Sequence, residues 1–244
     1  YGDGSLRITD GGSVTGEEDN YIGYKSGSTG SVTVSGSGST WDNSDLVTIG
    51  HDGDGVLNIT DGGVVTIAEG HIGYNSGSTG AVTISGTGSV WDSSDGLTVG
   101  YAGNGTLNIT NGGTFNNGVG GHYAGHGNIG HASGSTGAVT VSGSGSTWTS
   151  SGGLSVGGRG SGTLEITDGG TVSNTSAGIG GSVGSTGVAT VSGPESTWTI
   201  NGYLWIGNQG DGRLDITDGA TVNARRTRIG GTDNSTGAVT VSGP

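Results

Sequence analysis

The chain has 244 residues, of which 60 are glycine, 28% are hydrophobic and only seven are Lys or Arg, giving a formal charge of -13. So few basic groups argue against a nucleic-acid partner, since DNA and RNA are held by neutralising phosphates. The lack of cysteine excludes a disulfide framework, and no apolar run reaches the ~18 residues of a membrane-crossing helix.

The first alternating run is Leu6-Arg7-Ile8, closed by ThrAspGlyGly at 9–12. A second kind of run, SerGlySerThrGlySerValThrValSerGlySerGlySerThrTrp, fills 26–41 and returns with small edits at 76–91, 133–148 and 184–198, and in part at 235–244. Trp41 and Trp91 stand 50 residues apart, Trp91 and Trp148 57, and Trp148 and Trp198 50; Ile59, Ile109, Ile166 and Ile216 keep the same intervals. A seven-residue insertion therefore sits near 118–127. Superposing Ile59 on Ile84 halves the period to about 25 residues, so each 50-residue unit holds two related halves.

Within each half, β-branched and other apolar residues alternate with polar ones, as in Leu57-Asn58-Ile59, Val82-Thr83-Ile84 and Leu97-Thr98-Val99. Period two bounded by Gly, Asn, Asp and Ser is the strand signal, and no stretch has helical period. The expected fold is all-β: a right-handed parallel β-helix (β-solenoid) with about 25 residues per coil, three short strands per coil and roughly ten coils. At about 4.8 Å per coil the rod would be about 45 to 50 Å long. Residues 1–244 read as a single solenoid, expected to be a segment of a longer chain.

Stacking predicts inward columns. One runs Leu57, Val82, Leu107, Val139, Leu164, Ala189, Leu214 and its neighbour Ile59, Ile84, Ile109, Val141, Ile166, Val191, Ile216. A third interleaves Trp41, Trp91, Trp148 and Trp198 with Val14, Val65, Phe115, Val172 and Val222, which makes the tryptophans core rather than sugar platforms. At the Asp-Gly and Asn-Gly corners, Gly62, Gly112, Gly169 and Gly219 are expected to hold positive φ.

The pair LeuAsnIleThrAspGlyGly (57–63) and ValThrValSerGlySerGlySerThrTrp (32–41) resembles the repeat of autotransporter passenger domains and PEP-CTERM-anchored bacterial surface proteins. The resemblance covers essentially the whole chain. It implies an exported β-helical stalk, extracellular or on the outer cell surface of a bacterium, in proteins associated with adhesion. It carries over no catalytic motif.

Function beyond extension is then sought where the pattern varies. Tyr24, His51, Tyr74, Tyr101 and His131 follow the Gly that ends the third strand of five consecutive coils, an outward ladder of rings that either stack on one another or meet glycan. Trp205 falls in the outward column of Thr48, Thr98 and Ser155 and is a further ligand-contact candidate. The insertion supplies His122, His126 and His131, a weak metal candidate whose spacing matches no standard zinc signature. Asp52, Asp54, Asp61, Asp211 and Asp218 offer oxygen ligands for Ca²⁺, although aspartates at turns mainly serve turn chemistry, so no cofactor is assigned. Acids lie singly along the axis; Asp61 and Asp92 come nearest to the paired carboxylates a glycosidase needs, and an enzyme is not expected. Glu17, Glu18, Asp19 and Arg225, Arg226, Arg228 read as solvated loops of opposite sign in equivalent places. The expected role is a stalk or scaffold displaying an adhesive face, the alternative a carbohydrate-binding adhesin using the ring column. Expected partners are glycans or other surface proteins, with lateral or end-to-end self-association as a further one.

Overall fold

The structure, a computed structural model, describes residues 2–118 and 125–243. These residues form strands, turns and bends with no helix. Three parallel ladders run along one axis. The first has ten strands, from Asp3–Ile8 through Thr29–Ser35, Asp54–Thr60 and Thr79–Ser85 to Thr236–Val241. The second starts at Ser13–Gly16 and Thr40–Asn43, and the third at Asn20–Ile22 and Leu46–Ile49. The chain visits the three ladders in turn and each strand pairs with its copy in the next coil, so Ile59, Ile84, Ile109 and Val141 are direct neighbours. The result is nine complete coils and the first strand of a tenth, in line with the roughly ten read from the sequence.

Strand residues alternate between the interior and the surface because successive Cβ atoms point to opposite faces. Every member of the Leu57 to Leu214 column is at most 2% exposed, Ala189 included. The mixed tryptophan column is also inside: Trp41, Trp91, Trp148 and Trp198 are at most 3% exposed and stack in register on Val65, Phe115 and Val172. Trp and Val alternate because an indole fills the core beyond its own coil. The third ladder makes room for it: a Cβ placed on Gly127 would lie 2.7 Å from the Trp148 ring, and one on Gly70 3.2 Å from that of Trp91. Neighbouring coils carry Leu97 and Leu154 at the same position.

The corners explain the most repeated letters. Gly62, Gly112, Gly169 and Gly219 have φ between 82° and 88°, and the preceding Asp61, Asn111, Asp168 and Asp218 are left-handed as well, at 53° to 54°. Asp and Asn tolerate that conformation better than other non-glycine residues. In the alternate coils, Ser39, Ser89, Ser146 and Ser196 are fully buried, and each Oγ accepts the N–H of the turn glycine one coil earlier, at 3.0 to 3.1 Å. Ser89 and Ser146 also donate to the carbonyls of Ser85 and Ser142 at 2.7 Å. The SerGlyThrGlySer corner is therefore a polar rivet between coils, and a buried hydroxyl with both partners made carries little penalty.

A second polar column lies inside, between the second and third ladders. Asn43, Asn117 and Asn174 are at most 3% exposed. Asn117 Nδ2 donates to the Gly125 carbonyl at 2.6 Å and Asn174 Nδ2 to that of Ser176 at 2.7 Å. Their Oδ1 atoms accept the indole N–H of Trp148 at 2.9 Å and of Trp198 at 2.7 Å. Asparagine here replaces the solvent that the bend between strands would otherwise need. The Asn117–Gly125 bond also closes the coil at the insertion, with Gly118 donating to Ser93 and Gly152 to Gly125.

The third strand does not stay separate throughout. Thr197–Ile206 and Thr221–Ile229 each run unbroken from the second ladder into the third, with a register shift between Ile200 and Tyr203. This corrects the sequence expectation for Arg225, Arg226 and Arg228: they lie on a strand, not on a loop. Glu17, Glu18 and Asp19 do lie between strands, exposed.

Candidate functional site

The outward ring ladder forms as the repeat predicts. After Tyr24, the N–H of each ring residue donates to the glycine carbonyl one coil earlier, His51 to Gly23 at 3.1 Å, Tyr74 to Gly50 at 2.8 Å, Tyr101 to Gly73 at 3.0 Å and His131 to Gly100 at 2.9 Å, which spaces the rings by one coil. Ring centroids follow at 5.1 Å (Tyr24–His51), 5.3 Å (His51–Tyr74), 4.7 Å (Tyr74–Tyr101) and 4.9 Å (Tyr101–His131). The middle pairs are close to parallel, at 18° and 24°. Sequence reasoning missed two further rings. Tyr21 and His71, on the outward positions of the third ladder, pack against the column at 4.9 to 5.1 Å. The signal was available, since both share the phase of Thr48 and Thr98, but only the curvature of the coil brings that phase beside the ring column.

The ladder's imidazoles are constrained. His71 is 8% exposed, its Nε2 is 3.3 Å from Glu69 and its Nδ1 has no partner. The hydrogen bond from His71 holds the Glu69 carboxyl below the usual carboxylate range, against the opposing effect of burial. His131 is held below the ordinary histidine value, first by burial and then by the charges of Arg159 and His71. Asp52 comes to 3.3 Å from His51 Nδ1 without a hydrogen-bonding angle, and its Oδ1 instead accepts from Asn75 Nδ2 at 2.7 Å.

The other sequence candidates separate. His122 lies outside the described residues. His126 is exposed and its Nδ1 accepts the Gly153 N–H at 3.2 Å, while His131 belongs to the ring ladder. Among the described residues no three His, Asp or Glu side chains converge to hold a metal. Asp61 accepts from Ser35 Oγ at 3.0 Å and Asp92 from Asn116 Nδ2 at 2.8 Å, so each carboxylate serves its own coil-to-coil contact.

Trp205 points outward, as its column requires, and is half-buried. It stacks on Tyr203 of the same strand, with centroids 5.2 Å apart and planes 12° from parallel. Tyr203 is 41% exposed. Strand pairing places Arg226 beside Tyr203 and Arg228 beside Trp205. The Arg226 guanidinium lies 5.2 Å over the Tyr203 ring and donates to its hydroxyl at 3.3 Å. Beneath Trp205 the column holds Gly178, and nothing comes within 4 Å of where its Cβ would be. The cation–ring contact is not legible from the sequence, because it depends on Arg226 standing on a strand rather than on a loop.

Comparison with protein-family models, with curated proteins and with solved structures finds no match to this chain.

Proposed function

We propose that this chain is a structural stalk or scaffold segment of an exported bacterial surface protein, built to set distance and to display faces along its length. The observation that carries the reading is the register: nine coils pair strand on strand through three ladders, around a core that is continuous through the interior coils. In such an array each coil contacts only its neighbours, so length is set by coil number and stability by repeated interfaces. The repeat's resemblance to autotransporter and PEP-CTERM surface proteins supports the exported setting. No catalytic role is part of the proposal; Asp61 and Asp92, the two acids singled out as a carboxylate pair, each reside in a coil-to-coil hydrogen bond.

The second reading, a carbohydrate-binding adhesin acting through the ring column, draws on the exposure of Tyr21 (41%) and Tyr24 (47%) at one end of it. The remaining rings turn their faces to each other, which favours an internal packing role for the column.

In-frame removal of residues 54–103, one 50-residue unit, tests the stalk. Phase is conserved because Asn104 then takes the place of Asp54, and two coils are lost. Small-angle scattering should show a folded rod shorter by about 10 Å. A chain that unfolds, or keeps its original length, defeats the proposal.

A further inference from the structure

The chain gathers positive charge in one place. Three of its seven basic residues, Arg225, Arg226 and Arg228, fall within four positions. All three are exposed, and none forms an ion pair among the described residues, whereas Arg213 is held by Asp215 at 2.8 Å. Two recesses adjoin the stacked pair of rings beside them. One, of about 240 Å³, is lined by Gly202, Tyr203, Arg225 and Arg226. The other, of about 140 Å³, is lined by Trp205, Asn208 and Arg228 together with Ile206, Gly230 and Gly231. Each recess thus combines one aromatic ring with at least one guanidinium whose charge is unmatched.

We propose that this patch binds an anionic saccharide, a polymer carrying carboxylate or sulfate groups on its sugar rings. One recess is lined by Tyr203 and the other by Trp205, whose rings stack 5.2 Å apart, so one chain can reach both with neighbouring units. The guanidinium fork matches the geometry of a carboxylate or sulfate, which a neutral glycan cannot exploit. The aromatic side chains supply the rigid apolar surface on which the C–H face of a sugar ring rests. Nucleic acid fits less well, since its binding rests mainly on neutralising many phosphates along the strand, and this patch offers three guanidiniums. This surface is distinct from the ring column, and the proposal stands apart from the stalk reading.

Titration calorimetry at low and moderate salt, with the full chain, tests it. The probes are polygalacturonate, dextran sulfate, neutral dextran, poly-glutamate and single-stranded DNA. Binding is expected for polygalacturonate, dextran sulfate or both, which tells carboxylate from sulfate recognition, and not for neutral dextran. The Arg226→Gln/Arg228→Gln double variant should weaken it by about tenfold or more. Trp205→Ala should weaken it as well, and Tyr74→Ala, on the separate ring column, should leave it unchanged. The arginine side chains are exposed, so the double variant keeps its fold, as circular dichroism would verify, even if Trp205→Ala does not. No binding of either acidic saccharide, undiminished binding by the double variant, or equal binding of poly-glutamate or DNA would overturn the proposal.

Discussion

Trp91 and Trp148 occupy the same inward column, are 0% and 1% exposed, and differ in one bond. The Trp148 indole N–H donates to Asn117 at 2.9 Å, whereas that of Trp91 has no partner, because Ile67 stands where the other coil has asparagine. Replacing each by Phe is therefore a matched pair. The column already seats Phe115 between Trp91 and Trp148, at 5.1 and 5.8 Å, so the smaller ring demands no new geometry. The lost volume is the same at both sites, and its cost should stay below the about 3 to 5 kcal/mol of truncating Trp148 to Ala. Trp148→Phe also strands the buried Asn117 oxygen, worth about 1 to 3 kcal/mol, while Trp91→Phe removes a donor that was already orphaned. The expected result is that Trp148→Phe is the more destabilising by about 1 to 3 kcal/mol, with Trp198→Phe following Trp148 through Asn174. Urea unfolding followed by far-ultraviolet circular dichroism measures this, and hydrogen exchange resolves it by coil, since a repeat array need not unfold as one unit. Equal losses at Trp91 and Trp148 would refute the account of the asparagine column.

The ring ladder should show direct coupling. In a double-mutant cycle, Tyr74→Ala and Tyr101→Ala, whose rings are 4.7 Å apart, are expected to interact by about 0.5 to 1.5 kcal/mol, and strict additivity would remove the ladder's structural role. Stability should fall on acidification in two stages. His131 is depressed in the folded state, so the unfolded chain binds the proton first; stability is full above the ordinary histidine value of about 6.5 and is lost as pH falls from there through the folded pKa. Glu69 is depressed as well, so its contribution is present above the ordinary carboxylate value and lost as pH falls through its lower folded pKa. His131→Gln should flatten the upper stage of a melting-temperature profile and leave the lower; an unchanged upper stage would mean that another group controls it.

How much of this could be read in advance depended on whether the cause was periodic. The Leu57 and Ile59 columns, the buried tryptophans, the left-handed corner glycines and the five-ring ladder all follow from two facts: side chains alternate along a strand, and a repeat of constant length stacks like on like. Residues that act between neighbouring ladders were less legible. Asn43, Asn117 and Asn174 occupy an inward phase in which composition argues for apolar residues, and only the bend that exposes carbonyls beside them makes an amide the better occupant. Ser89 and Ser146 read as turn residues, although they serve the turn of a different coil.

By itself the sequence determined a β-solenoid, the size of its coil and which residues fill its core, because spacing alone dictates what lies above what. Only the tertiary structure decided what meets across the coil: that His71 joins the ring ladder, that asparagine pairs with indole, and that Arg226 and Arg228 stand on a strand against Tyr203 and Trp205. The physical reason is that neighbours along the axis are separated by one constant interval in the chain. Neighbours around the coil depend instead on where each corner bends, and on whether two strands merge into one, as they do in Thr197–Ile206.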